Sequence, residues 1–175
     1  MYFAALLART EDGWEASDTE LDNVETLADL ADLARESASD DGETVIVFIE
    51  QEDTWFGIVR VDGEDDPRVF VSNAAAAARS SYGEILTSEL LGDDERDDQL
   101  DELTDLDGTE DGEPEHDEDE DPAAGAGAAP AGPLGETRIL ADLGLPERQL
   151  LAITEDALGE VAEAIGASDI LETVR

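Results

Sequence analysis

The sequence predicts an α+β protein: a five-stranded antiparallel sheet with packed helices, then a disordered acidic linker, then a small all-α segment. Three observations favour this class. Short runs of β-branched and aromatic residues in the first half are joined by hairpin-type turns. A run of carboxylates interrupts the chain at its middle, and the residues beyond it carry helix-capping signals instead of strand patterns.

The chain begins with a predicted hairpin. The run from Tyr2 to Arg9 is apolar on both faces, which suits a strand covered on both sides. Asp12-Gly13 is a tight-turn signal, and Trp14 opens the returning strand. We therefore expect two antiparallel strands within residues 2–17.

An amphipathic helix is predicted next, with Asn23 as its N-cap. Its carboxylates recur on the face opposite an apolar stripe, which is the pattern of a helix packed on a core. The apolar stripe consists of Val24, Leu27, Ala28, Leu30, Ala31 and Ala34. We expect this helix to lie against the sheet.

Three further strands follow the helix. Residues 44–49 are apolar and β-branched almost throughout, whereas residues 54–61 alternate, with Trp55 and Phe56 on opposite faces. Residues 68–71 form a short fifth strand. The turn residues between these runs indicate hairpins, and therefore an antiparallel sheet.

Two helical stretches complete the first half of the chain. Ser72 or Asn73 is expected to cap an Ala-rich helix over residues 74–80, and Gly83 is expected to interrupt it before a further turn or two at 84–91. The resulting order, ββαβββα, is similar to the plan of roadblock and profilin-like domains. That analogy concerns the fold and implies no function.

Composition divides the chain into an α+β domain at 1–92, a linker at 93–132 and a short helical segment at 133–175. Residues 93–121, the acidic tract, hold 18 of the 49 carboxylates against one Arg. Such a stretch cannot bury enough apolar surface to offset the entropy of ordering. The rest of the linker is Ala, Gly and Pro. We therefore expect the whole linker to be disordered.

The last segment is predicted to form three or four short helices. Start and stop signals indicate helices within 136–143, 146–152 and 155–165, and a last turn or two after Ser168. The segment is near the lower size limit for independent folding, so we expect it to dock on the first domain or on a partner.

A net charge of −40 restricts the partners of the protein. Residues 1–92, 93–121 and 133–175 carry −17, −17 and −6, so direct binding to nucleic acid or to an anionic membrane is disfavoured and a basic protein partner is favoured. The chain has no Cys, no apolar run of the roughly 20 residues that would span a membrane, and no signal-peptide pattern. These features predict a cytoplasmic protein.

Two motif-like spacings fall in the acidic tract. His116-Asp117-Glu118 matches half of the zinc-deaminase signature, but the thiolate ligands that complete it cannot come from a chain without Cys. The stretch from Asp107 to Glu118 fits part of an EF-hand loop, although Pro114 interrupts it. Because the chain has no other His to act as a general base, we predict no enzymatic activity, no catalytic residue, no cofactor and no metal.

Five residues are candidates for partner binding: Trp14, Trp55, Phe56, Arg60 and Arg68. Aromatic side chains on an open face would be anchors of the kind that dominate interfaces. The favoured alternative is that the aromatic residues fill the core, because the domain has few other large side chains. For the two Arg residues, expected on one face of neighbouring strands, the favoured alternative is pairing with the chain's own carboxylates.

Four stretches together resemble the tRNA adenosine deaminase-associated proteins of high-GC Gram-positive bacteria. They are Tyr2 to Arg9 with Gly13-Trp14, residues 53–63 (DTWFGIVRVDG), residues 132–135 (GPLG) and residues 141–144 (ADLG). The resemblance covers both foldable segments and the tract between them. It implies only that genes of this family accompany a tRNA adenosine deaminase gene, and it brings no catalytic residues.

These observations predict a non-enzymatic accessory or regulatory protein that binds a basic partner, with the tRNA adenosine deaminase as the first candidate. The α+β domain would supply the contacts and the acidic tract would assist. A second hypothesis is a nucleic-acid mimic that occupies basic sites on several proteins. A third is general adaptation to high salt, against which the clustering of charge within 93–121 argues.

Overall fold

A six-stranded antiparallel sheet forms the centre of the protein, in the strand order β2-β1-β3-β4-β5-β6. The computed structural model describes residues 2–18, 21–38, 43–52, 54–91 and 130–174. The strands are β1 (Tyr2–Thr10), β2 (Gly13–Asp18), β3 (Thr44–Gln51), β4 (Trp55–Asp62), β5 (Arg68–Val71) and β6 (Leu134–Gly135). The predicted α+β class and antiparallel sheet are thus confirmed.

The predicted count of five strands is wrong, because β6 adds a sixth. Leu134 pairs with Val71 and Gly135 pairs with Phe70. The backbone N–H of Glu136 then donates to the carbonyl oxygen of Val69 at 2.9 Å. A strand of two residues offers no alternation to detect in a sequence, and it forms here because the edge of β5 presents backbone groups that need partners.

The side chains of the sheet alternate between two buried faces. Phe48 of β3 lies opposite Ile58 of β4, and both belong to one apolar cluster. The adjacent pair, Val47 and Val59, points into a second cluster on the other side. The alternation predicted for residues 54–61 is confirmed, and the strands need apolar side chains at successive positions because both faces are covered.

The helical layer, which covers one face, consists of α1 (Leu27–Ser37), α2 (Ala74–Ala77) and α3 (residues 81–91). The cap of α1 is Thr26 rather than the predicted Asn23. The Thr26 hydroxyl accepts from the backbone N–H of Asp29 at 3.2 Å, and the Asp29 carboxylate accepts from the backbone N–H of Thr26 at 3.0 Å. This reciprocal capping box fixes the start of the helix.

Gly83 lies inside α3, so the predicted interruption at this position is wrong. A Cβ atom at Gly83 would lie 2.2 Å from the carbonyl oxygen of Ala77. Asn73 caps α2, whose last residue is Ala77, and the helix is therefore shorter than the predicted 74–80. Glycine is needed at position 83 because α3 passes directly over the end of α2.

The C-terminal layer, which covers the other face, contains a 3-10 helix (Ala141–Leu143), α4 (Glu147–Leu150), α5 (Ala157–Ile165) and α6 (Ser168–Val174). Its buried Ile139, Leu145 and Val161 belong to the same cluster as Phe48 and Ile58. The helix predicted for 136–143 is only a 3-10 turn preceded by β6, and α5 begins two residues later than predicted. The C-terminal layer therefore shares a core with the sheet.

Residues 93–129 of the linker lie outside the described residues, so the predicted disorder and the three-segment division stay predictions, as does the likeness to roadblock and profilin-like domains. The description resumes at Pro130, three residues before the predicted boundary. The carbonyl oxygens of Pro130 and Gly132 accept from the backbone N–H groups of Ala75 and Ala74 at 3.0 and 2.8 Å. The end of the linker is thus attached to the first turn of α2.

Candidate functional site

Trp55 and Phe56 lie in the core, with 3% and 5% of their surfaces exposed. The Trp55 ring faces the helical layer, and its Nε1 donates to the Gln51 side-chain oxygen at 2.7 Å. Phe56 faces the C-terminal layer and stacks on Phe48 with ring centroids 5.7 Å apart. Their low exposure favours the core-filling alternative given above, and their part in partner binding stays a prediction.

Trp14 is half-buried on β2 and packs against the C-terminal layer. Its Nε1 donates to the backbone carbonyl oxygen of Ile165 at 3.0 Å. The indole therefore joins the edge of the sheet to the end of α5.

Arg60 is 6% exposed and joins β4 to the C-terminal layer. Its Nη1 and Nη2 donate to the two carboxylate oxygens of Asp142 at 2.5 and 2.8 Å, and Nη1 also donates to the carbonyl oxygen of Ile139 at 2.8 Å. Its Nε donates to Asp62 at 3.0 Å. The hydrogen bond from Arg60 holds the pKa of Asp142 below its ordinary value, and the same bond raises the pKa of the guanidinium. Arg60 thus links β4 to the C-terminal layer through a bidentate, charge-assisted pair of hydrogen bonds.

Arg68 lies directly across from Arg60 in the β4–β5 pairing, as expected for neighbouring strands. Its guanidinium approaches Asp62 and Glu136 at 3.9 and 3.8 Å, with nearly half of the side chain exposed. These are long, solvent-screened ion pairs. The structure thus brings the two Arg residues together at the seam between the sheet and the C-terminal layer, and it keeps the three aromatic candidates apart from them.

An acidic trough lies in the helical layer. Two adjoining cavities, of about 530 and 630 Å³, share Leu27 and Glu89 and run from the start of α1 along α3 to β6. Carboxylates line the trough at Glu25, Asp66, Glu84 and Glu89, and apolar side chains line it at Val24, Leu27, Val69, Ile85, Leu90 and Leu134. No Arg lines either cavity. We call this recess the α1–α3 trough.

Sequence reasoning missed the α1–α3 trough, because its lining comes from four separate stretches of chain. The sequence predicts Glu84, Ile85 and Glu89 only as parts of a helix. A local signal does exist in the carboxylates that flank Ile85, but only the packing of α3 beside α1 places Glu25 across from them.

A smaller cavity of about 220 Å³ lies at the start of β4, lined by Trp55, Phe56, Glu50, Glu155 and Asp156 among others. Asp156 adopts a left-handed conformation, with φ of 45°. Among the described residues, no group of three or more His, Asp or Glu side chains is arranged to hold a metal ion. Both motif-like spacings of the acidic tract, including His116, lie outside the described residues.

The polar side chains that are buried in the described ranges are all paired. Within the described ranges, every buried side-chain nitrogen and oxygen has a hydrogen-bond partner. In the same ranges, no helix is both long enough and apolar enough to cross a membrane. What the surface does present is carboxylate charge beside apolar side chains, in the α1–α3 trough.

Comparison with known protein families confirms the resemblance found in the sequence. A family model described as Rv3753c-like tRNA adenosine deaminase-associated protein matches residues 2–168 of the chain. No curated protein and no solved structure matches significantly. The matched range begins in β1 and ends at the first residue of α6, so it takes in the sheet, the helical layer and the C-terminal layer as far as α5.

Proposed function

Because the chain belongs to the family of Rv3753c-like tRNA adenosine deaminase-associated proteins, we propose that it is a non-enzymatic accessory or regulatory protein that binds a tRNA adenosine deaminase. The family description names an association with the deaminase and not the deaminase activity itself. In this proposal the protein is cytoplasmic, and its association with the deaminase consists of direct binding between the two proteins.

The observation that carries the proposal is the distribution of charge. The chain has a net charge of −40, and 18 of its carboxylates are concentrated within residues 93–121. An enzyme that acts on tRNA must present basic surface to phosphates. A polyanionic protein is complementary to that surface, so the acidic tract would attract the deaminase over a distance set by the salt concentration.

The folded layers and the acidic tract have different roles in this proposal. Long-range charge accelerates the encounter of two proteins, whereas well-packed contacts slow their separation. We therefore assign steering to residues 93–121 and specific contact to the folded surface.

Kinetics with the two purified proteins, at low and at physiological salt, test the proposal. Deleting residues 93–121 should slow association and flatten its salt dependence, with a smaller effect on dissociation. A control that keeps the length but replaces each Asp and Glu of the tract with Asn and Gln should behave like the deletion. The absence of a complex with the wild-type protein at both salt concentrations would contradict direct binding.

A second candidate function, a nucleic-acid mimic, is favoured by the trough, where four carboxylates lie along one surface with no Arg between them. A mimic would bind many basic proteins with similar and steeply salt-dependent affinity. Binding to a panel of unrelated basic proteins separates the two functions, because an accessory protein should prefer the deaminase strongly.

A further inference from the structure

We propose that the α1–α3 trough is the docking site for a basic amphipathic helix of the partner, with Lys or Arg residues beside a row of apolar side chains. This inference rests on the proposed function and names the surface that would make the specific contacts. An amphipathic helix binds with its apolar face in a hydrophobic groove, and carboxylates beside the groove would complement its Lys and Arg residues.

The walls of the trough carry negative charge that the described residues do not neutralise. Glu25, Asp66, Glu84 and Glu89 are all exposed, and no described Arg forms an ion pair with any of them. The nearby Arg35 is occupied, because it pairs with Asp32 and donates to the backbone carbonyl oxygens of Gly63 and Asp65. Basic side chains of a partner would therefore be the counter-charges of this surface.

The floor of the trough offers apolar contacts between the charged walls. Val24, Ile85 and Leu90 are only partly buried, yet each packs on the core of the helical layer. Their outer surfaces remain in contact with solvent, and they are held in place from below. A row of Leu or Ile side chains on one face of a helix could cover them. The apolar surface buried in this way would slow dissociation of the complex.

Charge decides which occupant fits the trough. The acidic tract is an unsuitable occupant, because its 18 carboxylates would be repelled by those of the walls. A second copy of the chain carries the same net charge of −40 and is disfavoured for the same reason. A basic segment of another protein is attracted both by the carboxylates of the trough and by the net negative charge of the chain.

Paired charge variants of the full-length protein test this docking site. Glu84→Gln with Glu89→Gln removes two wall charges of the trough at constant side-chain size. Glu160→Gln with Glu163→Gln makes the same change on α5, at exposed positions in the C-terminal layer. We expect the dissociation constant for the deaminase at physiological salt to rise about tenfold for the trough variant and less than about twofold for the control. Equal melting temperatures would show that neither pair disturbs the fold.

Amide hydrogen exchange of the complex locates the contact independently. Protection on binding is expected within residues 24–27 and 81–90. Equal weakening by both variants, or protection confined to the C-terminal layer, would overturn the docking site while leaving the proposed function intact. If the wild-type protein forms no complex with the deaminase, the proposed function fails. A synthetic helix of Lys and Leu then becomes the probe, and only its protection of the same residues would support the trough.

Discussion

The indole nitrogen of Trp14 donates a hydrogen bond to the backbone carbonyl oxygen of Ile165, at 3.0 Å, across 151 positions of the chain. Ile165 is the last residue of α5, and the carbonyl groups of a final helical turn have no partner within their own helix. A side chain of the edge strand β2 therefore serves as part of the cap of α5. The contact joins the edge strand β2 to the C-terminal layer.

Replacing Trp14 with Phe should lower the free energy of unfolding by about 1 kcal/mol. Phe keeps an aromatic ring at this position but lacks the five-membered ring with its N–H, so the carbonyl oxygen of Ile165 loses its donor in a partly buried position. Urea unfolding followed by circular dichroism measures the change. Tyr2→Phe, at a position exposed to 40%, is the matched control and should leave stability within about 0.5 kcal/mol of wild type. A Trp14→Phe protein as stable as the control would show that the hydrogen bond does not hold α5.

The variant Asp142→Asn should destabilise the protein by about 1–2 kcal/mol, because Arg60 is buried and would keep only part of its charge pairing. Asp142 is itself more than half exposed, which keeps the expected loss below that of a fully buried pair. Glu136→Gln, which alters the long contact to Arg68, is the comparison and should cost less than about 0.5 kcal/mol. If both variants lost the same unfolding free energy, the buried pair of Arg60 and Asp142 would contribute no more than the exposed contact of Arg68.

The cost of Asp142→Asn should depend on pH. Arg60 lowers the pKa of Asp142 in the folded protein, so the carboxylate contributes stability above its unfolded pKa of about 3.9. That contribution disappears as the pH falls through the lower, folded pKa, where Asp142 becomes protonated. The difference in unfolding free energy between wild type and variant should be constant near pH 7 and shrink below about pH 4. If this difference in unfolding free energy instead grew as the pH falls, the pKa of Asp142 would not be lowered in the folded protein.

Replacing Gly83 with Ala should destabilise the protein by about 1–3 kcal/mol, although Ala is the better helix former. The new Cβ would meet the backbone carbonyl oxygen of Ala77 at 2.2 Å, and a backbone atom cannot move aside as a flexible side chain does. Ser81→Ala, at an exposed position of α3, is the control and should be neutral or slightly stabilising. Thermal melts of the two variants measure the change in stability. A Gly83→Ala protein more stable than wild type would exclude close packing of α3 on the end of α2.

The first five strands could be predicted from sequence because each carries its own alternation or apolar run. Local patterns failed where distant residues decide the structure. The residues around Leu134 show no strand pattern, because β6 forms only by pairing with the edge of β5. The partner of Arg60 is 82 positions away at Asp142, and the acidic trough exists only once α3 lies beside α1. Even the start of α1 was decided by a capping box that competed with an equally plausible Asn23.

The sharing of one core between the sheet and the C-terminal layer has a consequence for proteolysis. Ile139, Leu145 and Val161 are buried in the same cluster as Phe48 and Ile58, and β6 is hydrogen-bonded to β5. A protease that cuts anywhere within residues 93–129 would leave every one of these contacts in place. The two fragments should then migrate as one particle on size exclusion and separate only in denaturant. The acidic segment could be severed in this way while the fold survives as a two-chain complex.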